Sequence, residues 1–381
     1  MKKRFLTIFY YKDIGTQHLY KDVGSIPLGL AKYSDWDSTF AYVPLNGKLE
    51  DAEYEKYVRL IPVPVYRNPF FSICKFLWNH IQKYDVLNFY HLSKRNIPLL
   101  LLAKIRNPRI KIYVKLDMGQ GAYQKIICKR KTQFWYRSCS FVLRRLNLLP
   151  ALCTVETTKY LEGLSDISLY KGRIKYLPNG FWRDESISKD LACKKEKIIL
   201  TVGRLGTSQK NTELLLASFA AIPVMQRSGW NLVLVGTYTP EILQKAQKLI
   251  AQDESLKGQI EFIGNINDKK CLNQYYAKAS IFCLPSRWEG SPLVLPEAMH
   301  HGCFPIVTDC CDAFYDILDR GRHGIIVPNE NAPALTKALE QAMADKMATV
   351  RQGMVAKQYV DQHFDWEKII YQLQGYLNNA E

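Results

Sequence analysis

Glu289 and Glu297 stand in the stretch SRWEGSPLVLPEAMHHGCFPIVTD, residues 286–309, with one carboxylate in a loop and the other eight residues on. A strand-like run over 281–285 leads into a short loop that holds Glu289, Gly290 and Ser291. Pro292, with its fixed φ and no N–H, is the expected first residue of a helix carrying Leu293, Leu295, Glu297, Ala298 and Met299. Gly302 closes that helix, and a second apolar strand follows over 304–307. At 1.5 Å of rise per residue the two carboxylates lie on the order of 10 Å apart. That is too far to share one metal ion or one proton. It suits hydroxyl pairs at the two ends of a long ligand. A helix N-terminus between them offers N–H groups to a phosphate. Hydroxyls, phosphates and hydroxyls in that order describe a sugar nucleotide. A buried helix with two incidental glutamates satisfies the same spacing and stays open as the competing reading.

A second pair of groups points the same way. The segment 197–202 reads as a strand, followed by Gly203 and Arg204, with Lys210 six residues later and Asn211-Thr212-Glu213 opening a helix. Two cations at the carboxyl end of a strand, beside a helix N-terminus, can hold a diphosphate. Arginine gives a planar, permanently charged fork and lysine a mobile point charge. Two ordinary surface cations are the alternative. Further strands, 231–235 and 259–263, end in Gly236 and in Gly264-Asn265.

From 198 to 339 the chain resembles the retaining glycosyltransferases of family 4. The likeness runs through TVGRLGTSQKNTELLLASFA, EFIGNIND, the glutamate pair of WEGSPLVLPEAM and HGIIVPNENAPALTKALE, four motifs in order. It is thinner over the first half. The resemblance implies an α/β architecture of the GT-B type, two Rossmann-like domains facing across a cleft. It implies transfer of a sugar from a nucleotide sugar to an acceptor hydroxyl with retention, completed by domain closure. Arg204 and Lys210 would meet the departing diphosphate, with Gly203 and the turn of Gly290, Ser291, Pro292 and Leu293 nearby, whose N–H groups, Pro292 excepted, would point at it. Glu289 would bind the sugar and Glu297 the ribose, and Gly264 and Asn265 would lie beside the base. No metal ion or cofactor is implied, because protein cations meet the charge. The acceptor would be a polysaccharide or a lipid-linked glycan. Two rivals stand beside this: a GT-B sugar-nucleotide epimerase or hydrolase, and a catalytically silent protein that docks on membrane or nucleic acid.

The elements that must position these groups divide the chain. At 381 residues two domains are expected, here 1–184 and 195–362, the first ending near the Pro178-Asn179-Gly180 turn and the charged run 184–197 reading as the linker. An amphipathic end, 363–381, would cross back to the first domain as the family's terminal helix does. Ten cysteines without a CxxC pair give no metal framework. The apolar run FLTIFYY is a first strand rather than a signal segment, and no apolar stretch reaches about 18 residues. The cytoplasm is the compartment expected from these points; a peripheral position at the inner face of the membrane is expected from the basic, aromatic segment below and from the resemblance.

The net charge is +16 and unevenly placed: residues 1–190 hold 32 Lys and Arg against 16 Asp and Glu, whereas 191–381 hold 20 of each. Residues 104–145, from Lys104 to Arg145, carry 12 basic residues and one acid, Asp117. Such asymmetry asks for an acidic surface as partner. A helix across 128–146 would set Phe134, Trp135, Phe141, Val142 and Leu146 on one face with cations beside them, the make-up of a helix that lies on anionic lipid. A solvated basic helix and a nucleic-acid groove fit that composition too; membrane is the partner expected, and nucleic acid is not. Asp117, past a strand over 110–114, is placed to meet an acceptor or donor hydroxyl, and a structural carboxylate is the alternative. It stands with Lys115 where the family often has a histidine. The family's double glycine falls on Lys21-Asp22, with Gly24 the nearest loop glycine. Asp35-Trp36-Asp37 spells a metal-binding signature of another glycosyltransferase fold but sits in a turn with no companion motif.

Overall fold

The computed structural model describes the chain apart from residues 1, 11–13, 46, 92, 94, 129, 146–147, 186–189 and 381, and for 130–133 it describes the backbone alone. Two compact units emerge: Met1–Gly180 with Trp366–Glu381, and Phe181–Asp365.

In unit 1 the strands are β1 (Lys3–Phe9), β2 (Trp36–Tyr42), β3 (Val58–Pro62), β4 (Val86–Tyr90), β5 (Lys111–Leu116), β6 (Leu152–Val155) and β7 (Ile174–Tyr176). Its helices are α1 (Asp22–Tyr33), α2 (Ala52–Glu55), α3 (Pro69–His80), α4 (Ile97–Arg106), α5 (Gln120–Cys128), α6 (Arg130–Arg145) and α7 (Thr158–Leu164). The strands form one parallel sheet in the order β3-β2-β1-β4-β5-β6-β7. Side chains alternate across it. Leu6, Ile8, Leu87, Phe89, Ile112, Val114, Cys153 and Val155 face one way, into a core filled by α3, α4, α5, α6 and α7.

Unit 2 contains β8 (Glu196–Val202), β9 (Asn231–Val235), β10 (Ile260–Gly264), β11 (Ala279–Leu284), β12 (Phe304–Thr308) and β13 (Ile325–Val327). Its helices are α8 (Thr212–Ala220), α9 (Val224–Arg227), α10 (Pro240–Gln252), α11 (Lys269–Lys278), α12 (Val294–His300), α13 (Ala313–Ile317), α14 (Ala332–Ala344) and α15 (Lys346–His363). The sheet order is β10-β9-β8-β11-β12-β13, again parallel. Runs such as Leu232-Val233-Leu234-Val235 are apolar throughout because helices cover both faces. In each sheet the order reverses beside the first strand, between β1 and β4 and between β8 and β11. A doubly wound sheet opens a crevice at the carboxyl ends of such neighbours.

The last helix, α16 (Trp366–Asn379), packs on α1 within unit 1, burying Trp366, Ile369, Ile370, Leu373 and Leu377. Ile370 approaches so close that a Cβ on Gly29 would sit 2.4 Å from its Cγ1. Residues 181–184 are built into unit 2. Phe181 N–H donates to Phe364 C=O at 2.9 Å, Arg183 Nε reaches Asp365 at 2.9 Å, and Asn273 Nδ2 donates to Asp184 at 2.8 Å.

Candidate active site

The switch between β8 and β11 brings two loops of unit 2 together. The β8 loop carries Gly203 and Arg204 and turns sharply: Thr207 Oγ1 donates to Arg204 C=O at 2.8 Å and Lys210 N–H to Thr207 C=O at 3.1 Å. Asn211 takes a left-handed φ of 47° to start α8, a conformation asparagine tolerates better than most residues. At the neighbouring β9 loop, a Cβ on Gly236 would lie 1.8 Å from Gly203 C=O, so the two loops touch backbone to backbone. Gly236 N–H also donates to Gly264 C=O, at 2.8 Å, tying in the end of β10.

The β11 loop delivers Glu289 into this corner. Lys210 Nζ lies 2.6 Å from Glu289 Oε1, and Ser286 Oγ donates to the same oxygen at 2.6 Å. Gln209 Nε2 donates to Glu289 Oε2 at 3.2 Å, and Gln209 Oε1 accepts from Arg204 Nη2 at 2.7 Å. Arg204, Lys210 and Glu289 are therefore linked through Gln209. Lys210 and Glu289 are both largely buried, with Arg204 exposed. Arg287 straps the two loops: its N–H donates to Gln209 C=O at 2.8 Å, Nη1 to Ser208 C=O at 2.7 Å and Nε to Glu330 at 2.6 Å. Thr308 Oγ1 donates to Ser286 C=O at 2.6 Å, fixing the base of the loop to β12.

One expectation is corrected here. Pro292 does not open the helix; α12 begins at Val294 with Leu293 as its N-cap. Pro296 decides this. In a helix starting at Pro292 its missing N–H would break an internal bond, whereas from Val294 it falls in the first turn, where no N–H is needed. Gly290, Ser291 and Pro292 thus form a turn before the helix, with Gly290 exposed and Ser291 half-buried. Gly302 ends α12 with a left-handed φ of 74°.

Glu297, in the first turn of α12, has its own partners. Lys269 Nζ is 2.6 Å from Oε2, and Tyr276 OH donates to the same oxygen at 3.4 Å. Burial pushes the Tyr276 phenol well above its ordinary pKa, and Glu297 beside it adds to the shift. Asn265 is exposed past β10 and donates to Asn267 Oδ1 at 2.6 Å.

Asp117 belongs to unit 1, exposed just past β5. Lys115, two residues earlier, turns away from the core that Ile112 and Val114 enter. It is fully buried and meets Glu156 at 3.3 Å, and Asn179 Nδ2 donates to the same Glu156 oxygen at 2.9 Å. Asp22, first residue of α1, joins this cluster. Burial raises Asp22 to about 6 and Glu156 to about 7, the Lys115 charge opposing both shifts. Asp22 Oδ2 and Asn179 Oδ1 have no hydrogen-bond partner. Gly24 is not a loop glycine: it lies in the first turn of α1, where a Cβ would meet Leu19 C=O at 2.2 Å. Trp36 and Asp37 are the first residues of β2, so the Asp-x-Asp run is split between a bend and a strand.

Sequence reasoning missed Ser286, Gln209, Arg287, Lys269 and Tyr276. Gln209 and Ser286 flank residues already singled out. Lys269 and Tyr276 lie on another helix and carried no signal.

Residues 183–359 match the family described as Glycosyl transferases group 1. A Campylobacter jejuni N-acetyl-D-galactosaminyltransferase, whose name specifies a PP-undecaprenol-linked acceptor, is 29% identical over 174 residues, 46% of each chain. The chain spans about half the length of the curated relatives it matches first. Solved structures match over the whole chain. A glycosyltransferase from Rickettsia africae has a TM-score of 0.70 at 15% identity, covering 100% of both chains. The Anabaena HepE protein in complex with UDP has a TM-score of 0.66 at 16% identity, covering 99% of this chain and 100% of that one. The two doubly wound parallel sheets and this likeness define the GT-B fold.

Proposed function

We propose that the protein is a glycosyltransferase that moves a sugar from a nucleotide-sugar donor to a hydroxyl of a lipid-linked or polysaccharide acceptor, with retention at the anomeric carbon. The observation that carries the reading is the Arg204–Gln209–Glu289–Lys210 network at the β8–β11 switch, inside the segment that matches Glycosyl transferases group 1. The UDP held by the Anabaena neighbour and the acceptor in the Campylobacter relative's name support donor and acceptor class.

In this mechanism the glycosidic bond to phosphate breaks and negative charge builds on the diphosphate. Arg204 and Lys210 stabilise that charge more in the transition state than in the ground state, with the backbone at Gly203 and from Gly290 to Leu293 alongside. The ion pair seen here holds Lys210 in place until the diphosphate competes with Glu289 for it. Glu289, released in part, accepts from sugar hydroxyls. Glu297 exchanges its partner Lys269 for ribose hydroxyls, and Gly264 and Asn265 border the base. Asp117, in unit 1, is the group assigned to the acceptor hydroxyl. Protein cations do the work of a metal ion, so turnover persists in chelator. The enzyme acts in the cytoplasm at the inner membrane face; among the described residues no helix is long and apolar enough to cross a membrane.

A screen of nucleotide sugars with and without glycan acceptors, with product anomers read by NMR, tests this. The reading requires an acceptor-dependent product with the donor's anomeric configuration. Donor turnover without any transfer product would point to an epimerase or hydrolase.

A further inference from the structure

The side of unit 1 that carries α3, α4, α5 and α6 has an outer surface unlike the rest of the chain. These four helices contain nine Lys and Arg and no Asp or Glu. Each of three of them also puts large apolar side chains into solvent. On α6, Tyr136 and Leu143 enter the core, while Phe134 and Phe141 point outward, 71% and 62% exposed, with Val142 beside them. On α4, Leu99, Leu100 and Ala103 are buried and Leu101 and Ile105 are exposed; on α3, Phe71 and Trp78 are exposed. Cations stand among them: Lys75, Arg137, Arg144 and Arg145 are exposed. Arg145 lies over the Phe141 ring at 5.3 Å and Arg106 over Trp78 at 4.6 Å. The face differs from the stripe read in the sequence. Trp135 is half-buried against the core, and Leu146 lies outside the described residues.

We propose that this α3–α4–α6 face docks on an anionic lipid bilayer, with Phe134, Phe141 and Val142 entering the headgroup boundary. Charge complementarity selects the occupant. Cations without a single carboxylate on these helices match lipid phosphates, and long basic side chains set among apolar ones can turn their heads to the headgroups. A second copy of the same face would set like charges against each other. Nucleic acid would leave Leu101, Ile105 and Val142 without a stacking partner. A groove of about 860 Å³ opens beside Phe134, with Ile127, Arg137, Asp166 and Lys171 also on its walls, and gives a headgroup room next to two cations. The proposal deepens the reading of a lipid-linked acceptor, since such an acceptor lies in a membrane, but it is measured without donor or acceptor.

The test is flotation of the full chain with vesicles of phosphatidylcholine alone and with vesicles in which phosphatidylglycerol replaces about a third of it. The bound fraction should rise about ten-fold on the anionic vesicles and fall with added salt. It should fall back about ten-fold in the triple variant Phe134→Ser/Phe141→Ser/Val142→Ser, and likewise in Arg137→Gln/Arg144→Gln/Arg145→Gln. UDP-induced thermal shifts, equal in all three proteins, show that the variants are folded and keep the donor reading separate from the membrane result. Equal binding to both vesicle types overturns the proposal, as do variants that float like the wild type. A dimer that the triple apolar variant turns into monomer, or binding of an oligonucleotide in preference to vesicles, also overturns it.

Discussion

Lys210 and Glu289 hold each other at 2.6 Å in a corner that admits little water. In the proposed reaction that contact is traded for one between Lys210 and the departing diphosphate. Replacing either Arg204 or Lys210 by alanine should lower kcat by about 10²–10³-fold, the range seen when a donor aimed at developing charge is removed. Steady-state kinetics check this, and unchanged turnover in both would sink the assignment of these cations. Asp22 offers a second check, through pH. Its folded pKa is raised to about 6 by burial. Its contribution to stability is thus fully present below the ordinary aspartate range and lost as pH rises through about 6. Asp22→Asn should gain on the wild type in urea midpoint between about pH 4 and pH 6, with a constant difference above. An offset that does not change with pH contradicts this. His301 has the opposite sign. Burial lowers it to about 4, so its contribution is present above the ordinary histidine range and fades as pH falls toward 4. The residues that bear charge were legible in the sequence because they stand after predicted strands in motifs that resemble those of a known family. Their neutral partners, Ser286 and Gln209, were not, since serine and glutamine occur in most loops.

The elements put those residues side by side. Arg204 and Glu289 are separated by nearly half of unit 2 in sequence, yet β8 and β11 are neighbours in the sheet. Apolar runs announce each strand, but which strands pair is decided by crossover packing, and no local pattern carries it. The start of α12 was misplaced for a related reason: two prolines competed, and only the need to keep internal N–H bonds decides for Pro296. The long helix α15 went unread because its buried apolar residues, Val350, Ala356 and Val360, are sparse along 18 residues and others such as Met347 and Val355 face outward. Gly236 tests the loop arrangement. Gly236→Ala should cost about 1–3 kcal/mol by forcing the β8 and β9 loops apart, and should weaken nucleotide binding with it. Denaturant titration checks the first, and a stability equal to wild type would show that the close approach to Gly203 is not required. Removing residues 366–381 should strip α16 from α1, uncover Gly29 and its neighbours, and leave unit 1 prone to aggregation. A soluble truncated chain with unchanged unfolding contradicts that packing.

Across the whole molecule the charge asymmetry and the fold divide labour between the units. Unit 2 carries equal numbers of acids and bases and the network proposed for the donor. Unit 1 carries the excess of cations and the bare apolar face. Composition made that contrast visible without any structure. The buried Lys115–Glu156–Asp22 cluster was not visible, because three charged residues from three elements look like surface residues until the sheet buries them. The central claim is that Arg204 and Lys210 together bind the diphosphate of the donor, and titration calorimetry with UDP tests it most directly. The wild type should bind one UDP per chain, and Arg204→Ala/Lys210→Ala should weaken it by about 100-fold, close to 3 kcal/mol. UDP, GDP and ADP all failing to bind, or a double variant that binds as tightly as the wild type, would contradict the account.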